Sequence, residues 1–198
     1  MMTDGKREII LQPIGEIDEE IIKYLKKELK KIFSLPKLIF KTSEKPLPLK
    51  DSEYNKGRGQ YNGSKIVNRL LNHQYEQEIF RVLGIMDEDL YSKNLNFIFG
   101  IATTSKNKLV NNFAVALISV RRLRETFYGK RKNKNLFRKR VLKEAIHELG
   151  HTFGLGHCNN YCIMRFSNHL GETDQKPLTF CDSCSKQIKT YIQRILKD

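Results

Sequence analysis

The sequence predicts a single domain of the α/β or α+β class. Three observations carry that prediction. β-prone and helical patterns alternate along the chain with no long linker between them. At 198 residues, with 39% hydrophobic and 29% charged content, the chain suits one sizeable core and is short for two. The last helical patterns follow the β-prone runs, and all four cysteines lie after residue 157.

The elements follow in order. Arg7–Leu11 is a short β-type run closed by Pro13. Asp18 caps a helix to about Phe33, with Ile21, Ile22, Leu25, Leu29 and Ile32 on one face. Lys37–Phe40 is a second short strand, and Pro46 and Pro48 break the pattern after it. Residues 50–64 carry three glycines and few apolar side chains, so they read as a loop. Ser64 then caps a helix through about Leu83, ended by Gly84, with Ile66, Val67, Leu70, Leu71, Ile79, Val82 and Leu83 as its stripe. Asn96–Ala102 and Phe113–Val120 read as an antiparallel pair joined by the polar stretch Thr103–Asn112. A helix from about Asn135 to Phe153 places Leu142, Ala145, Ile146, Leu149 and Phe153 on one face, and Gly154 ends it. A last helix covers about Ser185–Leu196.

A formal net charge of +14 favours acidic partners, whether nucleic acid or polypeptide. The charge is spread along the chain, with local concentrations at Lys26–Lys31 and Lys130–Arg140 that read as solvated surface. Nucleic-acid binding needs aromatic platforms or a groove-entering element, and only Phe127, Tyr128 and Phe137 lie near the second cluster. No run approaches the roughly 18 apolar residues of a membrane span. The N-terminus reads as a first strand, not as a signal peptide, so the expectation is a cytoplasmic monomer.

Residues 147–157 read HELGHTFGLGH. His147 and His151 are four apart on an amphipathic helix, where one turn rises about 5.4 Å, so both imidazoles leave the same face and grip one ion. Glu148 lies beside His147 and reaches a metal-bound water without ligating the metal. Neutral nitrogen ligands keep zinc Lewis acidic, and Glu148 serves as general base and then acid. The helix must stop after His151 so that His157 can return as a third ligand, and Gly154 supplies the turn. Three protein ligands leave one position open, the mark of a catalytic site.

The cysteines form two close pairs, Cys158-x3-Cys162 and Cys181-x2-Cys184. Their spacing fits a four-thiolate structural zinc site better than a disulfide framework or a redox pair.

HELGHTFGLGH resembles the signature of the metzincin metallopeptidases. With Cys158, Cys162, Met164, Cys181 and Cys184 it resembles the archaemetzincin branch, and ILQPIG, GRGQY, FGIA and FAVALISVRRL agree upstream. The resemblance implies a twisted sheet over an active-site helix, and a cleft between an upper subdomain (about 1–156) and a lower one (about 157–198). It implies two zinc ions per chain, a catalytic one on His147, His151 and His157 and a structural one on the four cysteines. Met164 becomes the hydrophobic base under the histidines. The substrate is a peptide or protein lying antiparallel to an edge strand within Phe97–Val120. Two departures stand out. The first cysteine pair is one residue closer than the family's usual spacing. Phe166 stands where some relatives carry a tyrosine. His169, Arg58 and Tyr61 are further candidates for the cleft, while His73 is read as an ordinary surface residue. The rival reading is a zinc-stabilised basic module that binds nucleic acid or an acidic polypeptide and hydrolyses little. Glu148 argues against it, because a pure binder has no use for a carboxylate there.

Overall fold

The computed structural model describes residues 7–35, 37–75, 79–103 and 113–195. In chain order its elements are β1 (Arg7–Ile14), α1 (Glu19–Ile32), β2 (Leu38–Thr42), β3 (Tyr54–Asn55), β4 (Gln60–Asn62), α2 (Gly63–Leu71), β5 (Arg81–Met86), β6 (Leu90–Ser92), β7 (Leu95–Ile98), β8 (Gly100–Ala102), β9 (Ala114–Ser119), α3 (Lys134–Thr152), α4 (Leu170–Gln175) and α5 (Asp182–Ile195). The main sheet runs β2-β1-β5-β9-β8. Its first four strands are parallel and β8 is antiparallel to β9. A second small sheet runs β3-β4-β6-β7.

The period of two along each strand sorts the core into layers. Ile9, Leu11, Leu83, Ile85, Ala116 and Ile118 face α1, α3 and α5. Ile10, Ile14, Val82, Met86, Val115 and Leu117 face the other way, where α2 covers them with Ile66, Val67 and Leu70. The architecture is therefore the expected mixed α/β fold, with helices on both faces of a parallel sheet and one antiparallel edge.

Several boundaries differ from the sequence reading. β1 continues through Pro13 to Ile14, because the missing N–H faces the β2 side beyond the end of that strand. On that side the carbonyls of Leu11 and Pro13 accept from Ser43 and Leu47 instead. The helix expected through Leu83 stops at Leu71, and residues 81–86 are the central strand β5. All six residues of β5 are buried between β1 and β9, so it shows no polar alternation and its apolar spacing imitates a helix. The cap of α2 is Asn62, whose side chain accepts from the Lys65 N–H at 3.1 Å, while Ser64 lies inside the helix. The expected loop at 50–64 holds β3 and β4. α1 is as read, with Asp18 accepting from the Glu20 N–H and Ile21, Ile22, Leu25 and Leu29 buried.

Asn96–Ala102 divides at Phe99. Its first part pairs with β6 in the small sheet, and its second part pairs with β9, Gly100 opposite Ile118. The expected antiparallel pair is thus present, and β8 is its free edge among the described residues. Residues 104–112 of the polar connection lie outside the described residues. Among those described, no helix is long and apolar enough to cross a membrane.

Candidate active site and metal centres

α3 starts where the Asn133 side chain accepts the Leu136 N–H at 3.0 Å, and it carries His147, Glu148 and His151 near its end. The stop is built by hydrogen bonds. The Gly154 N–H donates to the His151 carbonyl at 2.9 Å, and the Leu155 N–H to the Gly150 carbonyl at 3.2 Å. Gly154 takes φ = 83°, a left-handed conformation that a side chain would penalise. The reversed chain then delivers His157. Its ring centroid lies 5.0 Å from that of His151 and 5.5 Å from that of His147.

Two backbone carbonyls orient the imidazoles. The His147 Nδ1–H donates to the Ile163 carbonyl at 3.0 Å, and the His151 Nδ1–H to the Leu155 carbonyl at 2.8 Å. A carbonyl only accepts, so each ring carries its proton on Nδ1 and turns an Nε2 lone pair forward. The two Nε2 atoms are 3.1 Å apart. One ligating atom from each of the three histidines falls within 4.8 Å of the others. Two neutral donors aimed at each other and unable to hydrogen-bond mutually fit a shared cation. Burial, helped by the nearby Lys176 charge, pushes the His147 imidazolium far below its usual range, and burial lowers His151 and His157 as well. All three rings are held neutral, as metal donors must be.

Glu148 is only 6% exposed. Burial and the Glu144 carboxylate one turn earlier raise its carboxyl well above the ordinary range, while Lys176 opposes the shift. Its side chain lies against the edge strand at Gly100. Met164 is fully buried with its sulfur against Gly150, inside the HELGH segment. Phe166, 53% exposed, sets its ring 4.8 Å from that of His157.

Cys158, Cys162, Cys181 and Cys184 form a second cluster with all four sulfurs within 4.8 Å. The cysteines are free, with Cys158 and Cys181 sulfurs 3.8 Å apart against about 2.05 Å for a disulfide. Cys162 Sγ accepts backbone N–H groups from Met164 and Cys181, at 3.5 and 3.3 Å. The Cys184 N–H bond to Cys181 pulls that thiol down to about 6. Burial pushes the Cys162 and Cys184 thiols up, so those two do not ionise readily by themselves; four converging sulfur donors nevertheless suit a soft divalent metal.

The other candidates scatter. His169 caps α4 by accepting the Glu172 N–H and lines a groove with Phe97, Arg122, Tyr128 and Asp174. Arg58 is in the turn between β3 and β4, donating to the Leu95 and Asn96 carbonyls at 3.1 and 3.2 Å, and Tyr61 packs on Tyr54. Neither joins the histidines. His73 stacks edge-on with Tyr75.

The basic run is not a solvated loop throughout. From Lys134 it is helix, and Arg140 is buried, holding Asp174 at 2.7 and 2.8 Å and Glu125 at 2.7 Å. The Lys143 ammonium donates to the Thr173 and Asp174 carbonyls, and buried Lys176 lies 3.7 Å from Glu144. These contacts dock α4 on Arg140, Lys143 and Glu144 of α3. Glu144 was legible from its four-residue spacing to Glu148, and Gly100 as a glycine inside an apolar strand. Nothing local in the sequence marks Lys176.

Comparison with known proteins agrees with this geometry. Residues 9–190 match the model of a family described as peptidase family M54. The chain is 39% identical to the archaemetzincin of Methanocaldococcus jannaschii, over 91% of this chain and 92% of that one. It is 35% identical to the archaemetzincin of Pyrococcus furiosus over 94% of each. Among solved structures, the archaemetzincin of Methanopyrus kandleri superposes with a TM-score of 0.77 at 33% identity, covering 100% of both chains. That of Archaeoglobus fulgidus, in complex with malonate, gives 0.74 at 33% identity over 91% of this chain and 99% of that one.

Proposed function

The chain belongs to peptidase family M54, the archaemetzincins, and is a zinc metallopeptidase; on that premise we propose that His147, Glu148, His151 and His157 carry the reaction. One observation supports this choice of residues above the others. Three imidazoles, two of them with Nδ1 protons committed to carbonyls, converge at the end of α3, next to a buried carboxylate that lies against β8, an edge strand among the described residues. We place a catalytic zinc on the histidines and a structural zinc on Cys158, Cys162, Cys181 and Cys184. The upper subdomain is then about 1–156, and the lower one about 157–198.

Bound at the histidines, zinc supplies Lewis acidity toward water and the scissile carbonyl. The rest is done by this chain. Glu148 takes a proton from the attacking water on its carboxylate and passes it to the nitrogen of the leaving amine. Burial beside Glu144 strengthens its hold on that proton, which suits the first transfer. The Ile163 and Leu155 carbonyls keep the two helical imidazoles from rotating. The substrate backbone pairs with β8, whose outer edge is its docking line. Phe166 brings no hydroxyl to the negative charge that grows on the carbonyl oxygen, and forms a wall beside His157 instead.

The test is cleavage of an unbiased peptide library by zinc-loaded protein beside Glu148→Gln. Both samples are checked for zinc content first. Cleavage that disappears in the variant at equal metal content supports the assignment and maps side-chain preference. Equal cleavage by both would overturn it.

A further inference from the structure

Gly100 is a glycine in the wrong place for strand stability. It sits in the edge strand, pairs with Ile118, and is absent from the glycines with positive φ. Backbone freedom therefore does not account for it, and a glycine inside a strand weakens the strand. What accounts for it is space. A Cβ built there would meet the Glu148 side chain at 2.5 Å from Cγ, 2.7 Å from Oε1 and 2.8 Å from Cδ. Contacts under 3.0 Å force movement, and Glu148 is confined. It is 6% exposed, rooted on a buried turn of α3 and followed by buried Leu149.

We propose that Gly100 is a positioning residue for Glu148: the gap it leaves in the edge strand is the seat of the carboxylate. The inference rests on the reading of Glu148 as the base and deepens it. The strand that offers its outer edge to a substrate backbone then also sets where the base stands. Substrate register and base position share one reference point, and a methyl group at residue 100 pushes the carboxylate off it.

The experiment uses the full-length, zinc-loaded protein and the variants Gly100→Ala, Glu148→Ala and Glu148→Gln. Gly100→Ala is also combined with Glu148→Ala. Gly100→Ala is expected to lower kcat by about 10²-fold, the scale of a displacement near 1 Å, with KM within about 2-fold. Zinc content stays unchanged. Unfolding temperature gives a readout free of catalysis. Gly100→Ala lowers it when Glu148 is present and does not when residue 148 is alanine, so a foldable double variant exists even where the single one folds poorly.

The same temperature loss with alanine at 148 would mean that the methyl meets something other than the Glu148 side chain, and overturns the proposal. Wild-type turnover in Gly100→Ala with an inactive Glu148→Gln overturns the role of Gly100 alone. Wild-type turnover in Glu148→Gln overturns the assignment of the base itself.

Discussion

The Ile163 carbonyl accepts the Nδ1–H of His147 at 3.0 Å, and through it the two candidate metal-ligand clusters share a backbone. Ile163 stands between Cys162, whose sulfur faces the other cysteines, and Met164, whose sulfur lies against Gly150. The turn is itself tied down, with the Ile163 N–H on the Thr179 carbonyl at 2.9 Å and the Cys158 N–H on the Met164 carbonyl at 3.0 Å. A tripeptide thus orients a histidine, supplies a thiol and fills the space below the helix.

That arrangement predicts crosstalk. Cys181→Ser removes a sulfur that is not itself in the tripeptide. The thiol cluster should lose its zinc, and zinc at the histidines should bind about 10–100-fold more weakly, the usual effect of disturbing a ligand's outer partners. Competition against a graded chelator, with zinc counted per chain, measures both. Unchanged affinity at the histidines would show that the turn holds without the cage.

Gly150→Ala gives a prediction whose sign is diagnostic. In an unencumbered helix, alanine in place of glycine stabilises by about 1 kcal/mol. Here the new Cβ would press on the Met164 sulfur, so the exchange should destabilise by about 1–3 kcal/mol. Urea unfolding of the zinc-loaded variant decides between the two signs.

The raised carboxyl of Glu148 makes a pH prediction for the metal-free protein. Its folded value lies above the ordinary 4.5, so between the two the native state binds more protons than the unfolded chain. Stability contributed by this group is therefore present below about pH 4.5 and falls as pH rises toward the folded value. Glu148→Gln should be the more stable protein at about pH 7, and the difference should shrink toward about pH 4. Unfolding curves at stepped pH test it, and a difference that grows in acid would contradict it.

The buried pair of Lys176 and Glu144 stands 3.7 Å apart, with Thr173 donating to the same carboxylate at 3.2 Å. Lys176→Met leaves that carboxylate without its counter-charge and should cost about 3 kcal/mol. Adding Glu144→Gln should return much of the loss, since a neutral amide needs no cation. Thermal and denaturant unfolding of the two single variants and the double one close the cycle.

Legibility varied with how local the determining forces are. α1 and α3 were readable because caps, apolar stripes and a terminating glycine act within a few residues. β5 was not, because a strand buried on both faces loses the polar alternation that identifies strands. The split at Phe99 was hidden for a related reason. An uninterrupted apolar run does not say that its two halves pair with different sheets. Arg140 looked like one more surface cation until Asp174 and Glu125 arrived from other parts of the chain.

By itself the sequence determined the ligand types and their spacing. His147, His151 and His157 are set by one helical turn and one glycine, and the four cysteines by two short loops, all of them short-range geometry. Tertiary structure decided which nitrogen His147 presents, because the accepting carbonyl of Ile163 lies sixteen residues away. It decided where the Glu148 carboxylate stands, because Gly100 reaches Glu148 only through the packing of β8 on α3. It also decided which strand is the free edge, since hydrogen-bond partners in a sheet are chosen by the whole fold and not by the strand's own residues.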